Sequence, residues 1–156
     1  MAAAGGVVYA PVVNWPTTYK DPTAFTGTPN LHRAGGEMVA IALATGKQLW
    51  ATKLPQMPRG GYAFAMPLGG ATVANDLVFT VTFTGEVVAL SRKTGAIVWT
   101  ARLPAGANAT LAIAGNTLLA GAGLPVIKTE HPALVAYRLG ARGMVATTPA
   151  KPGRAS

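Results

Sequence analysis

Between residues 71 and 103 apolar and polar positions alternate in short bursts, each closed by a turn signal, in "ATVANDLVFTVTFTGEVVALSRKTGAIVWTARL". Alternation of period two places successive side chains on opposite faces of an extended backbone, so the bursts predict strands over 71–74, 77–84, 86–91 and 96–103. Asn75-Asp76 suits a two-residue hairpin. Lys93-Thr94-Gly95 puts a glycine where a tight turn asks for positive φ, which a residue with a Cβ enters only at a cost. Four strands in succession joined by tight turns predict one antiparallel meander.

The same pattern occurs more than once. "GEMVAIALATGKQLWATKLP" (36–55) aligns with "GEVVALSRKTGAIVWTARLP" (85–104) without a gap, an offset of 49 residues. A period of roughly 40 to 50 residues marks a stacked or radial array whose units each need a neighbour to bury their apolar faces. A third unit starts with "TLAIAGNTLLAGAG" and "ALVAYRLG", but no Thr-Gly and no tryptophan follow, so its fourth strand is expected to be missing. The first unit is read from "GGVVYAPVV" as its second strand, lacking its first. A four-stranded repeat of this period is what a β-propeller blade looks like. The expected fold is therefore all-β, a partial β-propeller of four-stranded antiparallel blades over residues 1–141. It divides into an incomplete blade at 6–54, a blade at 71–103 and an incomplete blade at 110–139. A small β-sandwich, with the repeats folded back face to face, is the alternative.

Composition narrows this picture. Of 156 residues only 12% are charged, and 19 Gly and 12 Pro suit short strands and turns better than helices. With no cysteine, disulfides, thiolate nucleophiles and cysteine metal sites are excluded. No apolar run approaches the ~18 residues of a membrane span, so no transmembrane segment is expected, and "MAAAGGVVYAPVV" lacks the basic start of a signal peptide. The net charge of +8 is partly a matter of Arg138, Arg142, Lys151 and Arg154 in an acid-free C-terminal stretch. Residues 142–156 are expected to form a basic disordered tail. The other cations are dispersed without interleaved aromatics, so no nucleic acid partner is expected.

The pattern Ala-x-x-x-x-Thr-Gly-x-x-x-Trp, at Ala40/Thr45/Gly46/Trp50 and Ala89/Thr94/Gly95/Trp99, resembles the tryptophan-docking repeat of quinoprotein-like (PQQ-binding-like) propellers. That family includes pyrroloquinoline quinone (PQQ) dependent dehydrogenases and a non-catalytic lipoprotein that assists outer-membrane barrel assembly. The resemblance covers about residues 6 to 139 and implies inter-blade packing by Trp50 and Trp99. It leaves the chemistry open, because the motif is structural. Relatives have eight blades, so the resemblance also implies a C-terminal portion of about two and a half blades, whose partners are further propeller blades or a second copy meeting an open strand edge. The family is usually exported, so an extracytoplasmic parent is the expectation.

In a meander the connections from strand two to three, and from strand four to the next strand one, emerge on one side. That side collects the long segments 14–35, 55–70, 104–109 and 125–132, where recognition is expected. The resemblance places a PQQ cofactor with Ca2+ on the same side. Such a site needs cationic or amide donors, a flat aromatic, oxygen ligands for the cation and a carboxylate base. The candidates are Asn14, Trp15, Lys20 and Arg59, with Asp21, His32 and Tyr62 beside them. Glu37 and Glu86 occupy equivalent repeat positions and read as structural, Asp76 as a turn residue, and Glu130 as solvated. No catalytic residue and no metal site is identifiable. Two functions follow: a binding or assembly module without chemistry of its own, or part of a PQQ-dependent dehydrogenase oxidising alcohols or sugars.

Overall fold

A computed structural model describes residues 1–21, 23, 26–30, 34–62 and 65–141. Every regular element among them is a strand. Strands β1 (Ala2–Ala4), β2 (Val7–Asn14), β5 (Gly35–Ala42) and β6 (Gln48–Lys53) form the first sheet in the order β1-β2-β5-β6. Strands β7 (Thr72–Ala74), β8 (Leu77–Val81), β9 (Glu86–Ser91) and β10 (Ile97–Arg102) form the second, a meander in chain order. Strands β11 (Ala112–Ala114), β12 (Thr117–Ala122) and β13 (Ala133–Arg138) form a third, three-stranded sheet. All pairings are antiparallel.

Two features differ from the sequence expectation. The first sheet has its first strand: Ala2–Ala4 pairs with Val7–Tyr9 across a turn in which Gly5 (φ 58°) and Gly6 (φ 74°) both take the left-handed region. A run of three alanines has no alternation to read. The segment after Asn14, expected as an irregular loop, contains a hairpin of β3 (Thr17–Asp21) and β4 (Thr26–Pro29). The threonines at 17, 18 and 28 suit a pleated surface. Asp21 closes the hairpin as a turn residue, its carboxylate accepting from the Thr23 N–H at 2.8 Å and the Thr23 hydroxyl at 2.7 Å.

The sheets pack through two cores, and β9 divides its side chains between them. Val88 and Leu90 point toward the first sheet, where they meet Tyr9, Met38, Ala40 and Leu54. Val87 points the other way, with Val81, toward Leu111, Leu118 and Ala120 of the third. This two-sided burial explains why "EVVAL" reads as an unbroken apolar run.

The repeated phrase shapes both outer strands alike. A register shift falls between Ala40 and Ile41 on the β5–β6 ladder and between Ile97 and Trp99 on β10, so that Leu49 and Val98 are the extra residues of equivalent bulges. A bulge increases local twist and re-aims the next side chain, here the tryptophan. Trp50 lies against Gly95 of the second sheet: a Cβ added there would stand 2.7 Å from the indole Cδ2 and Cε3, at φ +74°. Its Nε1 donates to the Arg92 carbonyl at 3.0 Å, and Thr52 Oγ1 donates to the Gly95 carbonyl at 2.8 Å. The Arg92 guanidinium reaches back across the same seam to Ala4 O (3.0 Å) and the Tyr9 hydroxyl (3.1 Å), and within its own sheet it donates to Asn75 O (2.6 Å).

The other members of the motif shape the turns themselves. Thr45 is exposed on the β5–β6 turn rather than packed between sheets: its Oγ1 accepts from the Lys47 N–H at 3.3 Å, and its own N–H donates to Ala42 O at 3.4 Å. Thr94 is likewise exposed and accepts from the Ala96 N–H at 3.2 Å. A threonine hydroxyl bonded to an N–H two residues on shapes its own turn. Thr45 and Thr94 therefore set the turn that presents the following glycine, and the seam contact falls to Gly95 and the indole. Gly46, which follows Thr45, has nothing among the described residues within 4 Å of its added Cβ, so no described tryptophan sits on the first copy of the turn.

Trp99 is not equivalent to Trp50. No Thr-Gly turn exists in the third unit to receive it, and its ring meets Tyr137 edge-on (5.2 Å, 79°) while 38% of its surface stays exposed.

Candidate functional site

The loop from the first sheet to the second, residues 54–71, passes over the end of β9 and is tied down there. Arg59, 7% exposed, donates from Nε to Thr84 O at 2.6 Å, from Nη1 to Pro104 O at 3.0 Å and from Nη2 to Leu103 O at 2.5 Å, and it forms an ion pair with Glu130. Arg102 holds the neighbouring residue, donating to Pro58 O at 2.6 Å. Glu130 comes from the β12–β13 connection, so one guanidinium joins a loop of the first unit, the second sheet and a loop of the third. Its second carboxylate oxygen accepts from the Val126 N–H at 2.8 Å.

Glu130 is thus partly buried and paired rather than solvated, a correction to the sequence reading. Nothing local in "VIKTEHP" signals a partner 71 residues away. Burial alone pushes its carboxyl up, but the Val126 N–H and the Arg59 guanidinium outweigh that and hold it below the ordinary 4.5. Glu86 behaves oppositely. It is 4% exposed with Oε2 unpartnered, and desolvation raises it despite the field of Arg102 and Arg59. Beside it Thr82 Oγ1 accepts from the Glu86 N–H at 3.1 Å.

Among the described residues, only Tyr62 of the other candidates is hydrogen-bonded to Arg59. Asn14 ends β2 and is exposed, Trp15 is 46% exposed, and Lys20 projects from the exposed β3. Tyr62 pairs with Arg59 through backbone and meets Phe83 edge-on at 5.6 Å. His32 and the tail 142–156 lie outside the described residues. Asn14 does line a groove of about 510 Å³ on the first sheet, together with Gly35, Glu37, Lys53, Leu54 and Gln56.

These residues do not fit a PQQ site. The one buried cation among the four, Arg59, already serves a carboxylate and three carbonyls. Among the described residues no three His, Asp or Glu side chains gather where a cation could sit.

Antiparallel sheets packed face to face, the first passing a tryptophan to the second, define a segment of a β-propeller. The chain belongs to the PQQ-like family described as outer membrane protein assembly factor BamB, whose model (PQQ_2) matches residues 34–137. Quinohemoprotein alcohol dehydrogenase from Comamonas testosteroni is similar in structure, with TM-score 0.61 and 19% identity over 92% of this chain and 25% of that one. BamB from Moraxella catarrhalis gives TM-score 0.52 and 22% identity over 72% of this chain and 30% of that one. A europium-containing methanol dehydrogenase gives 0.54 and 16% over 72% and 21%. The chain therefore spans less than a third of the length of each of these proteins. No curated protein matches it in sequence.

Proposed function

We propose that this chain is a propeller segment acting as a binding or assembly module without redox chemistry of its own, completed by further propeller blades. The observation that carries this reading is the engagement of Arg59. The residue best suited to meet a quinone carboxylate is instead a buried cross-link between three units, and the polar candidates on the loop-rich side do not converge on it. Enzymes and assembly factors share this scaffold, so the reading rests on the site and not on the fold.

The test is direct. The purified chain is mixed with PQQ and Ca2+, and cofactor absorbance and dye reduction with alcohols and sugars are followed. The expected result is no saturable binding at about micromolar cofactor, far tighter than a ~1 mM weak association. Stoichiometric binding with alcohol-dependent dye reduction would establish the dehydrogenase reading instead.

A further inference from the structure

The first and second sheets present the same repeat to a neighbour, and the first displays empty what the second has filled. Across the filled seam two side chains of the first unit enter the second sheet: Trp50 onto Gly95, and Arg59 onto the carbonyls of Thr84, Leu103 and Pro104. The gapless offset of 49 maps these acceptors to Gly46 and to Gly35, Leu54 and Pro55. Gly46 keeps the same left-handed turn (φ +68°), yet among the described residues nothing approaches within 4 Å of the space where its Cβ would be. Gly35 and Leu54 line the groove, and Pro55 follows directly. Glu37 stands at its edge where Glu86 stands beside Arg59, and Gln56 Nε2 donates to Ala34 O at 3.3 Å inside it, in the place of Ala105.

We propose that this face of the first sheet is a two-point socket for a partner propeller segment carrying a tryptophan and, nine residues later, an arginine. The indole seats on Gly46, and the guanidinium enters the groove toward Gly35, Leu54 and the Glu37 carboxylate. Acceptor geometry supports the choice of arginine, since its planar fork matches convergent carbonyls and a carboxylate, and Lys53 beside Glu37 takes the place that Arg102 holds beside Glu86 in the filled seam. A second copy of this chain cannot fill both points. Its partly exposed tryptophans are Trp15 and Trp99, and nine residues beyond them stand Ala24 and Asn108, neither an arginine. The inference rests on the reading that further propeller blades complete this chain, and on the repeat geometry, but not on whether the completed ring is catalytic.

The probe is a 15-residue peptide copied from the chain's own donor segment, "QLWATKLPQMPRGGY" (48–62), titrated into the 15N-labelled intact chain. The expected result is amide shifts at Gly46 and, separately, at Gly35, Leu54 and Gln56, with weak affinity of about 1 mM. In the peptide, Arg59→Ala should abolish the second group of shifts and weaken binding about tenfold, and Trp50→Ala should abolish the shift at Gly46. In the chain, Gln56→Ala should tighten binding by removing the amide that occupies the groove, and Glu37→Lys should weaken it. Equal binding of the parent and Arg59→Ala peptides would overturn the proposal. So would shifts confined to Thr84, Leu103 or Trp99, or no shift up to about 5 mM peptide.

Discussion

Replacing each motif tryptophan by alanine separates a docked indole from a partly docked one within a single chain. Trp50 seats on a glycine of the next sheet, donates one hydrogen bond to Arg92 O and lies 5.9 Å from the Tyr9 ring. Truncating a packed tryptophan costs about 3 to 5 kcal/mol. Part of this comes from the orphaned Arg92 carbonyl, roughly 1 kcal/mol. Trp99 is 38% exposed and meets the Tyr137 ring, so the aromatic pair at about 0.5–1.5 kcal/mol and a partial burial contribution leave a cost near 1–2 kcal/mol. For a domain of this length each kcal/mol moves Tm by about 2–4 °C, so Trp50→Ala should lower Tm by roughly 10 °C and Trp99→Ala by about 4 °C. Differential scanning calorimetry on the two variants measures the gap. Because both substitutions remove the same atoms, their effects on the unfolded chain largely cancel. Equal shifts, or a larger loss for Trp99→Ala, would refute the reasoning from seam geometry.

Three further outcomes follow from the same contacts. Gly95→Ala combines a left-handed φ with a 2.7 Å approach to the Trp50 ring, whereas Gly46→Ala has the same backbone and open space, so thermal unfolding should find about 1 kcal/mol lost at Gly46 and clearly more at Gly95; equal losses would mean the indole is not seated there. Arg59→Met leaves the partly buried Glu130 carboxylate without its cation and three carbonyls without their donor and should cost about 1–3 kcal/mol in urea unfolding, with the double variant Arg59→Met/Glu130→Gln recovering part of it; no recovery would assign Arg59's role to its carbonyl contacts instead. The two shifted carboxyls give opposite pH dependences. Glu130, lowered, contributes stability that is present above 4.5 and lost as pH falls below it, while Glu86, raised, favours the fold below 4.5 and loses that contribution as pH rises through its folded value. Tm of Glu86→Gln relative to the parent should therefore improve between about pH 4 and pH 7, and a constant difference across that range would contradict the raised carboxyl.

The sheets were legible because their alternation, turns and repeat agree with one another. Asn75 carries the positive φ (50°) that its place in the hairpin demands, and Gly95 takes the left-handed conformation its turn requires. Elements without such agreement were not legible. Ala2–Ala4 has no polar phase, and the Thr17–Pro29 hairpin alternates too weakly to stand out from its prolines. Repetition by itself did not separate turn-forming from docking residues: Thr45 recurs as Thr94 because both turns need the same local hydroxyl bond, which says nothing of a neighbouring sheet. At the candidate site, a net of carbonyl acceptors leaves no trace in side-chain identities, so Arg59 looked like a free cation on a loop. Its partner Glu130 lies in another unit, and a pairing across 71 residues has no local signature. The repeat did carry that information indirectly, since Leu103-Pro104, whose carbonyls meet Arg59, repeats Leu54-Pro55.

Arg92 has a consequence for how the molecule opens. A strand of three alanines offers almost no side-chain surface, and its free edge would fray on its own. The Ala4 carbonyl is held from the adjoining leaf by a guanidinium that also grips Tyr9 and Asn75. The chain's first strand is therefore latched from outside its own sheet. Releasing it means parting the two leaves together, which couples the stability of the N-terminal strand to a residue 88 positions away.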